Sequence, residues 1–226
     1  MTTSKPTQTK PLRRPQGERR EETVTKILNA AEELFSSLGL HGVTIKDVAR
    51  AAGIDTALVH YYFGNKTTLF DAVFSRRAAI INDMRLRSMA EYEAQAGDAM
   101  TIEGVLAAFL DPTFSLLVTG DQGWRNYAAL VAMVNNTPAW GGDTMRDHFD
   151  PVVAALVALL RKLAPGTPDR DLYWYYHLLS GSLTLSLAQT GRIDSLSGGL
   201  CSSTDMLSIR NQLVSVYAAG FAAVRK

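Results

Sequence analysis

Apolar side chains recur at steps of three and four from Thr23 onward. Val24, Ile27, Leu28, Ala31, Leu34, Phe35 and Leu38 mark one face of an amphipathic helix, and Gly39 stands where a C-terminal cap belongs. A second stripe, Ile45, Val48, Ala49 and Ala52, lasts only about two turns; Thr44 occupies its N-cap position and Gly53 ends it. Asp55 caps a third short helix in which Val59 and Phe63, with Ile54 just before it, face inward. Its outer face is then Thr56, Ala57, Leu58, His60 and Tyr61. Gly64 and Asn65 break the pattern. A long helix is expected from Lys66 to about Ala96, with Leu69, Phe70, Val73, Ile80, Ile81 and Met84 on its buried side. At about 1.5 Å per residue it spans roughly 45 Å.

Beyond Gly97 the pattern stays helical. Thr101 caps a segment reaching Val118 and interrupted by Pro112, and a shorter helix is expected over Trp124 to Val134. Further helices are expected over Pro138 to Leu163, with a kink or restart at Pro151, and from Thr167 and Pro168 to about Gln189. A loop at Asp194 to Ser203 precedes a last helix, Thr204 to Val224. No strand-like alternation bounded by hairpin signals and no internal repeat occurs. The expected fold is all-α with about nine helices. It divides into an arm at residues 1–20, a three-helix unit at 21–66 and a larger helical domain at 67–226.

Charge sharpens this division. The net charge is only +1, yet residues 1–66 hold ten basic against seven acidic side chains and the remainder thirteen against fifteen. Arg13, Arg14, Arg19 and Arg20 concentrate the excess in the arm, which either contacts phosphates or is a solvated tail. A single cysteine, Cys201, excludes an internal disulfide framework and fits a reducing compartment. The N-terminus lacks the apolar core of a secretory signal, and the longest apolar run, Val152 to Leu160, is far shorter than the roughly 18 residues of a membrane span. A cytoplasmic protein without membrane contact is expected.

Two short helices joined by a glycine turn suit a helix-turn-helix, although such pairs also occur in proteins that bind no DNA. The second helix would enter a major groove while the first braces it. His60 and Tyr61 then offer polar and aromatic contacts, Thr56, Ala57 and Leu58 lie beside them, and Lys46 reaches a guanine edge or a phosphate. Thr44 and Lys66 sit at helix starts, where unpaired N–H groups hold phosphate.

The ordered set Phe35, Gly39, Thr44, Ile45, Val48, Ala49, Ala52, Gly53, Ile54, Ala57, Val59, Tyr62, Phe63, Lys66 and Leu69 closely resembles the N-terminal domain of the tetracycline-repressor family of bacterial transcription regulators. The family pattern usually has Tyr where His60 stands, often Ser at Asp55 and Glu at Thr67. The resemblance adds Tyr62 to the expected DNA-contacting residues. It implies double-stranded operator DNA as a partner, a homodimer through the last two helices, and a small-molecule effector bound in the larger domain; separately, the residues form no catalytic constellation, so no enzymatic activity or cofactor is expected. The residues independently suit the dimer: Leu172, Leu178, Leu179, Leu183, Leu185 and Leu187 make the helix at 168–189 apolar on more than one side, so something must cover it.

For the effector, Trp124, Tyr127, Met133, Trp140, Phe149, Trp174 and His177 either line an apolar cavity or are ordinary core, with Arg125, Asn126, Arg146 and His148 as polar companions. The four histidines lie in different segments without metal-ligand spacing. Ser180, Ser182, Asp171 and His177 share one helix with no nucleophile elbow, which argues against a hydrolase. The alternative to a ligand-responsive repressor is an all-helical small-molecule-binding or catalytic protein that does not use its helix-turn-helix on DNA.

Overall fold

The computed structural model describes residues 16–137 and 141–224, and these form ten α-helices, one short 3-10 turn and no strand. Helix α1 (Gln16–Gly42), α2 (Ile45–Ala52) and α3 (Thr56–Phe63) make the N-terminal unit; α4 (Lys66–Ala96) leads out of it. The larger domain comprises α5 (Ile102–Thr119), α6 (Gln122–Asn135), α7 (Gly141–Leu163), α8 (Asp169–Leu187), the short α9 (Arg192–Leu196) and α10 (Met206–Val224).

Caps explain the short helices. Thr44 and Asp47 form a reciprocal capping box: the Asp47 backbone N–H donates to Thr44 Oγ1 at 3.2 Å, and the Thr44 backbone N–H donates to Asp47 Oδ2 at 3.1 Å. Asp55 Oδ1 accepts from the Ala57 N–H at 2.7 Å, and Asn65 Oδ1 from the Thr68 N–H at 2.9 Å. Gly53 takes a left-handed conformation (φ 67°, ψ 35°), which a residue with a Cβ adopts only with strain, and so turns the chain between α2 and α3.

Several features depart from the sequence pattern. First, Arg19 and Arg20 of the expected arm lie within α1; Glu18 precedes them in the same helix, and Glu22 pairs with Lys26 one turn on. Arg13 and Arg14 lie outside the described residues. Second, Gly39 (φ 69°, ψ 172°) interrupts α1 where the cap was expected, but a further turn follows it to Gly42. Third, Pro168 rather than Thr167 holds the N-cap position of α8; the Thr167 hydroxyl is buried without a hydrogen-bond partner. Fourth, the stretch after Gln189 contains α9 instead of being all loop. Pro112 and Pro151 are both accommodated within continuous helices.

One core runs through both parts. Phe35 of α1 meets Phe70 of α4 edge to face at 5.2 Å, Phe70 stacks on Phe74 at 6.3 Å, and Phe74 lies 5.5 Å from Tyr127 of α6 and 6.2 Å from Phe149 of α7. Each such ring buries enough apolar surface for about 2 kcal/mol, and each well-oriented pair adds roughly 0.5–1.5 kcal/mol. Ile80, expected on the buried side of α4, is half exposed instead.

A second, polar tie joins the same helices. The Glu32 carboxylate of α1 is 3% exposed and accepts from both Arg76 and Arg77 of α4, while Arg76 Nη1 also donates to Asn29 Oδ1 at 2.9 Å. Helix α5 has the length and composition of a membrane span, yet half of it is buried inside the fold, as in the core helix of a helical domain.

Candidate nucleic-acid interface and interior cavity

The outer surface of α2 and α3 carries most of the residues expected to touch DNA. Val48, Ala49 and Val59 are buried where α2 and α3 meet the rest of the unit. That burial turns Lys46, Ala57, Leu58, His60 and Tyr61 outward, Tyr61 being 79% exposed. Thr56 and Lys66 are half-buried at the first positions of α3 and α4. Tyr62 is also half-buried: its ring packs edge to face on Tyr61 at 5.1 Å and lies 6.0 Å beneath the guanidinium of Arg20. Through this contact α1 supports the exposed tyrosine.

Local hydrogen bonds decide what several of these groups can still offer. The Thr44 hydroxyl donates to Asp47 Oδ2 at 2.6 Å, so for phosphate the first turn of α2 presents chiefly backbone N–H groups. The same bonds hold the Asp47 carboxyl below its ordinary value of 3.8, keeping it ionised. His60 Nδ1 lies 2.9 Å from the Gly64 carbonyl, which can only accept; Nδ1 therefore carries a ring proton, and Nε2 is left out of this bond on an exposed side chain. Arg50 was not singled out by the sequence pattern, yet its side chain is 72% exposed beside Asp47 at 3.4 Å and adds positive charge at the same surface.

In the larger domain α4, α5, α6 and α7 line a partly open cavity of about 30 Å³, to whose wall Leu187 of α8 also contributes. Trp124, Tyr127 and Phe149 line it, as the aromatic pattern suggested. Met133 does not; it packs against Gly39 at the kink of α1. Trp174 and His177 also lie elsewhere, exposed on α8 and touching each other edge to face at 5.5 Å. Trp140 lies outside the described residues. Among the polar companions, His148 bonds through Nε2 to Ser75 Oγ (3.1 Å), and its carbonyl accepts from Asn82; Arg125 and Arg146 are exposed, and none of these three lines the cavity.

The polar lining comes instead from residues with no motif to announce them. Arg85 of α4 is 5% exposed; its Nη2 donates to Thr113 Oγ1 at 2.7 Å and its guanidinium lies 4.7 Å from the Phe109 ring. Arg85 Nε and the Tyr127 hydroxyl are buried without hydrogen-bond partners. Burial raises the Tyr127 hydroxyl above its usual range, with the Arg85 charge opposing, so this hydroxyl keeps its proton. A register clue was available: Arg85 stands one turn after Ile81 and one turn before Met89, a charged residue in an apolar stripe.

Helices α8, α9 and α10 carry several exposed apolar side chains. Leu178 and Leu185 of α8, Leu196 of α9, Leu207 and Val216 of α10 are all more than half exposed. The two long helices are fixed to each other by Tyr217, whose hydroxyl donates to the Leu178 carbonyl at 2.7 Å, and by Tyr175, whose hydroxyl donates to the Tyr217 carbonyl at 2.7 Å.

Comparison with known proteins agrees with this anatomy. The model of the tetR family of bacterial regulatory proteins matches residues 27–73, and that of the tetracyclin repressor-like C-terminal domain matches residues 107–220. AcrR of Shigella flexneri, an HTH-type transcriptional regulator, is 29% identical over 83 residues, 36% of this chain and 37% of its own length. An uncharacterized HTH-type transcriptional regulator of Mycobacterium tuberculosis is 25% identical over 169 residues, covering 73% of this chain and 76% of its own. The chain thus spans little more than a third of one relative and three quarters of the other. The transcriptional regulator FadR of Bacillus subtilis, solved in complex with stearoyl-CoA, superimposes with a TM-score of 0.60 at 16% identity, over 87% of this chain and 98% of that one; at this identity the likeness shows the fold. With the N-terminal model on the helix-turn-helix and the C-terminal model on half of the chain, the protein belongs to the tetracycline-repressor family of bacterial helix-turn-helix regulators.

Proposed function

We propose that the protein is a homodimeric repressor that binds a pseudo-palindromic operator through α3 and its flanks and releases it when a small molecule occupies the cavity. One observation carries this reading. Helix α4 begins at the nucleic-acid interface with Lys66 and forms the cavity wall with Ile81 and Arg85. These points are about 20–30 Å apart along one continuous helix.

Volume supplies the mechanics. A cavity of 30 Å³ holds one or two waters, so a ligand of even six heavy atoms must spread the helices that line it. Because α4 is one of them and holds α1 through Phe70, Arg76 and Arg77, its displacement carries the reading head with it. In a dimer, the spacing of two heads must match successive major grooves about 34 Å apart. Favouring a conformer with a different spacing is then enough to lower affinity.

The exposed apolar residues of α8 and α10 support a dimer through these helices, where Gly181 and Gly220 are exposed and leave room for close approach by a partner. Lys46, His60, Tyr61 and Lys66, with Thr44, Thr56, Ala57, Leu58 and Tyr62 beside them, are the proposed DNA-contacting set. Arg19 and Arg20 extend it toward the backbone. DNA as partner places the site of action in the cytoplasm.

The test is fluorescence anisotropy with the DNA flanking the protein's own gene. Affinity should fall on the order of a thousandfold between about 50 and 200 mM salt if about six phosphates are contacted. Near salt-independence would remove DNA from the proposal.

A further inference from the structure

We propose that the cavity is a receptor for a small organic monoanion, specifically a carboxylic acid with a compact apolar body, bound through Arg85 and Tyr127. The inference deepens the effector site of the previous section and rests on that reading only for its link to DNA.

The argument starts from charge. A guanidinium stays protonated at any physiological pH, so Arg85 carries a full positive charge while only 5% exposed. Among the described residues no carboxylate pairs with it. Its recorded partners are the Thr113 hydroxyl and the face of Phe109, both uncharged. Elsewhere the fold does not leave buried guanidinium groups in this condition: Arg76 and Arg77, themselves less buried, share the Glu32 carboxylate. A buried charge without a counter-charge loses its hydration with nothing to offset the loss. Arg85 is thus one half of an ion pair whose other half is to be found outside the chain.

The groups next to it have the matching polarity. Arg85 Nε and the Tyr127 hydroxyl are both buried donors with no acceptor, and both residues line the same cavity. The Thr113 hydroxyl accepts from Arg85 and retains its own proton for a third donor. Donors without an acceptor around one cavity favour an oxygen-rich anion. They select a monoanion, because no second lysine or arginine lines the cavity and a phosphate dianion would bury an uncompensated negative charge. The rest of the wall, including Leu116, Leu117, Val131 and Phe149, is hydrocarbon and suits an alkyl or aryl body.

The test uses the full-length protein and matched pairs of ligands: butyrate, hexanoate, benzoate and phenylacetate, each against its primary amide. Binding is read by thermal shift and calorimetry. At least one carboxylate should raise the melting temperature saturably, with its amide binding at least tenfold more weakly. Arg85→Met should lower that carboxylate's affinity about thirtyfold or more. It should also raise the melting temperature of the ligand-free protein, because the unpaired charge is gone. Arg85→Lys, which keeps the charge but loses the fork, should retain weakened binding, and Tyr127→Phe should weaken it about tenfold. Arg87→Met, on the solvent side of the same helix, should leave binding intact.

Amides binding as well as their carboxylates, no carboxylate in the panel binding better than its amide, or undiminished carboxylate binding by Arg85→Met would overturn the proposal. Operator affinity is measured separately with the bound ligand. If amides rather than carboxylates bind and release DNA, the anion site fails and the ligand-responsive reading stands. If carboxylates bind through Arg85 and DNA affinity does not change, the site stands and that reading fails.

Discussion

The guanidinium of Arg77 lies 4.8 Å over the indole ring of Trp124 while its Nε donates to the buried carboxylate of Glu32. One side chain therefore touches both a cavity wall and the helix that supports the DNA-reading unit. Glu32→Ala leaves two partly buried arginines without their counter-charge and should destabilise the fold by about 3 kcal/mol in urea melts. Trp124→Leu should cost roughly 1 kcal/mol from the lost cation–π contact and should reduce the effect of ligand on DNA affinity more than it reduces ligand-free DNA binding.

Gly123 has a steric reason to be glycine. A Cβ there would overlap the Arg77 guanidinium, which Glu32 holds in place and cannot release cheaply. Gly123→Ala should destabilise by about 1–3 kcal/mol, and the double substitution with Arg77→Ala should remove most of the penalty that is due to overlap. Equal penalties with and without Arg77 would refute the steric account.

At the reading head, Tyr61 and Tyr62 should separate cleanly. Tyr61→Ala removes an exposed ring and should leave the melting temperature nearly unchanged while weakening DNA binding. Tyr62→Ala removes the ring that packs on Tyr61 and Arg20 and should lower stability as well. Lys66→Ala should weaken binding to all DNA sequences alike and reduce the salt slope by about 1.

Carboxylates held by local hydrogen bonds set an acid limit. Hydrogen bonds from Thr44 lower the Asp47 carboxyl, and those from Ser203 and Ser208 lower Asp194 and Asp205, all from an ordinary 3.8. A depressed folded value means that the contribution is complete above the unfolded value and is lost as pH falls through the folded one. Asp47→Asn should thus flatten the loss of stability below about pH 4 and leave its slope near neutrality unchanged, as read from melts across that range.

For the dimer, Leu185→Glu or Val216→Glu places a charge on the exposed apolar face without touching the core. Light scattering should find monomers, and operator affinity should fall with them while the far-ultraviolet circular dichroism is retained. A dimer that persists in both variants would move the interface elsewhere.

Much of the geometry of the α2–α3 unit was legible because its determinants are local. Thr44, Asp55 and Asn65 act on N–H groups two or three residues away, and Gly53 acts on its own backbone, so spacing alone exposes them. The cavity was not legible in this way. Trp124, Tyr127 and Phe149 line it, but Trp174 has the same chemistry and faces solvent, because which side of a helix is covered depends on packing between distant segments. Glu32 and Arg85 were passed over for a related reason. A charged residue within an apolar stripe looks like the edge of the stripe until a partner, or the lack of one, is seen across the helix interface.

The continuity of Phe35, Phe70 and Phe74 with Tyr127 and Phe149 bears on how such a regulator can be rebuilt. A chimera cut at Gly64 would separate Phe35 from its packing partner Phe70 and Glu32 from both of its arginines. A viable graft has to carry α1 together with the first three turns of α4, through Arg77. The portable module is therefore longer than the segment that reads DNA, and new operator specificity is more safely installed on the outer face of α3 than by exchanging heads.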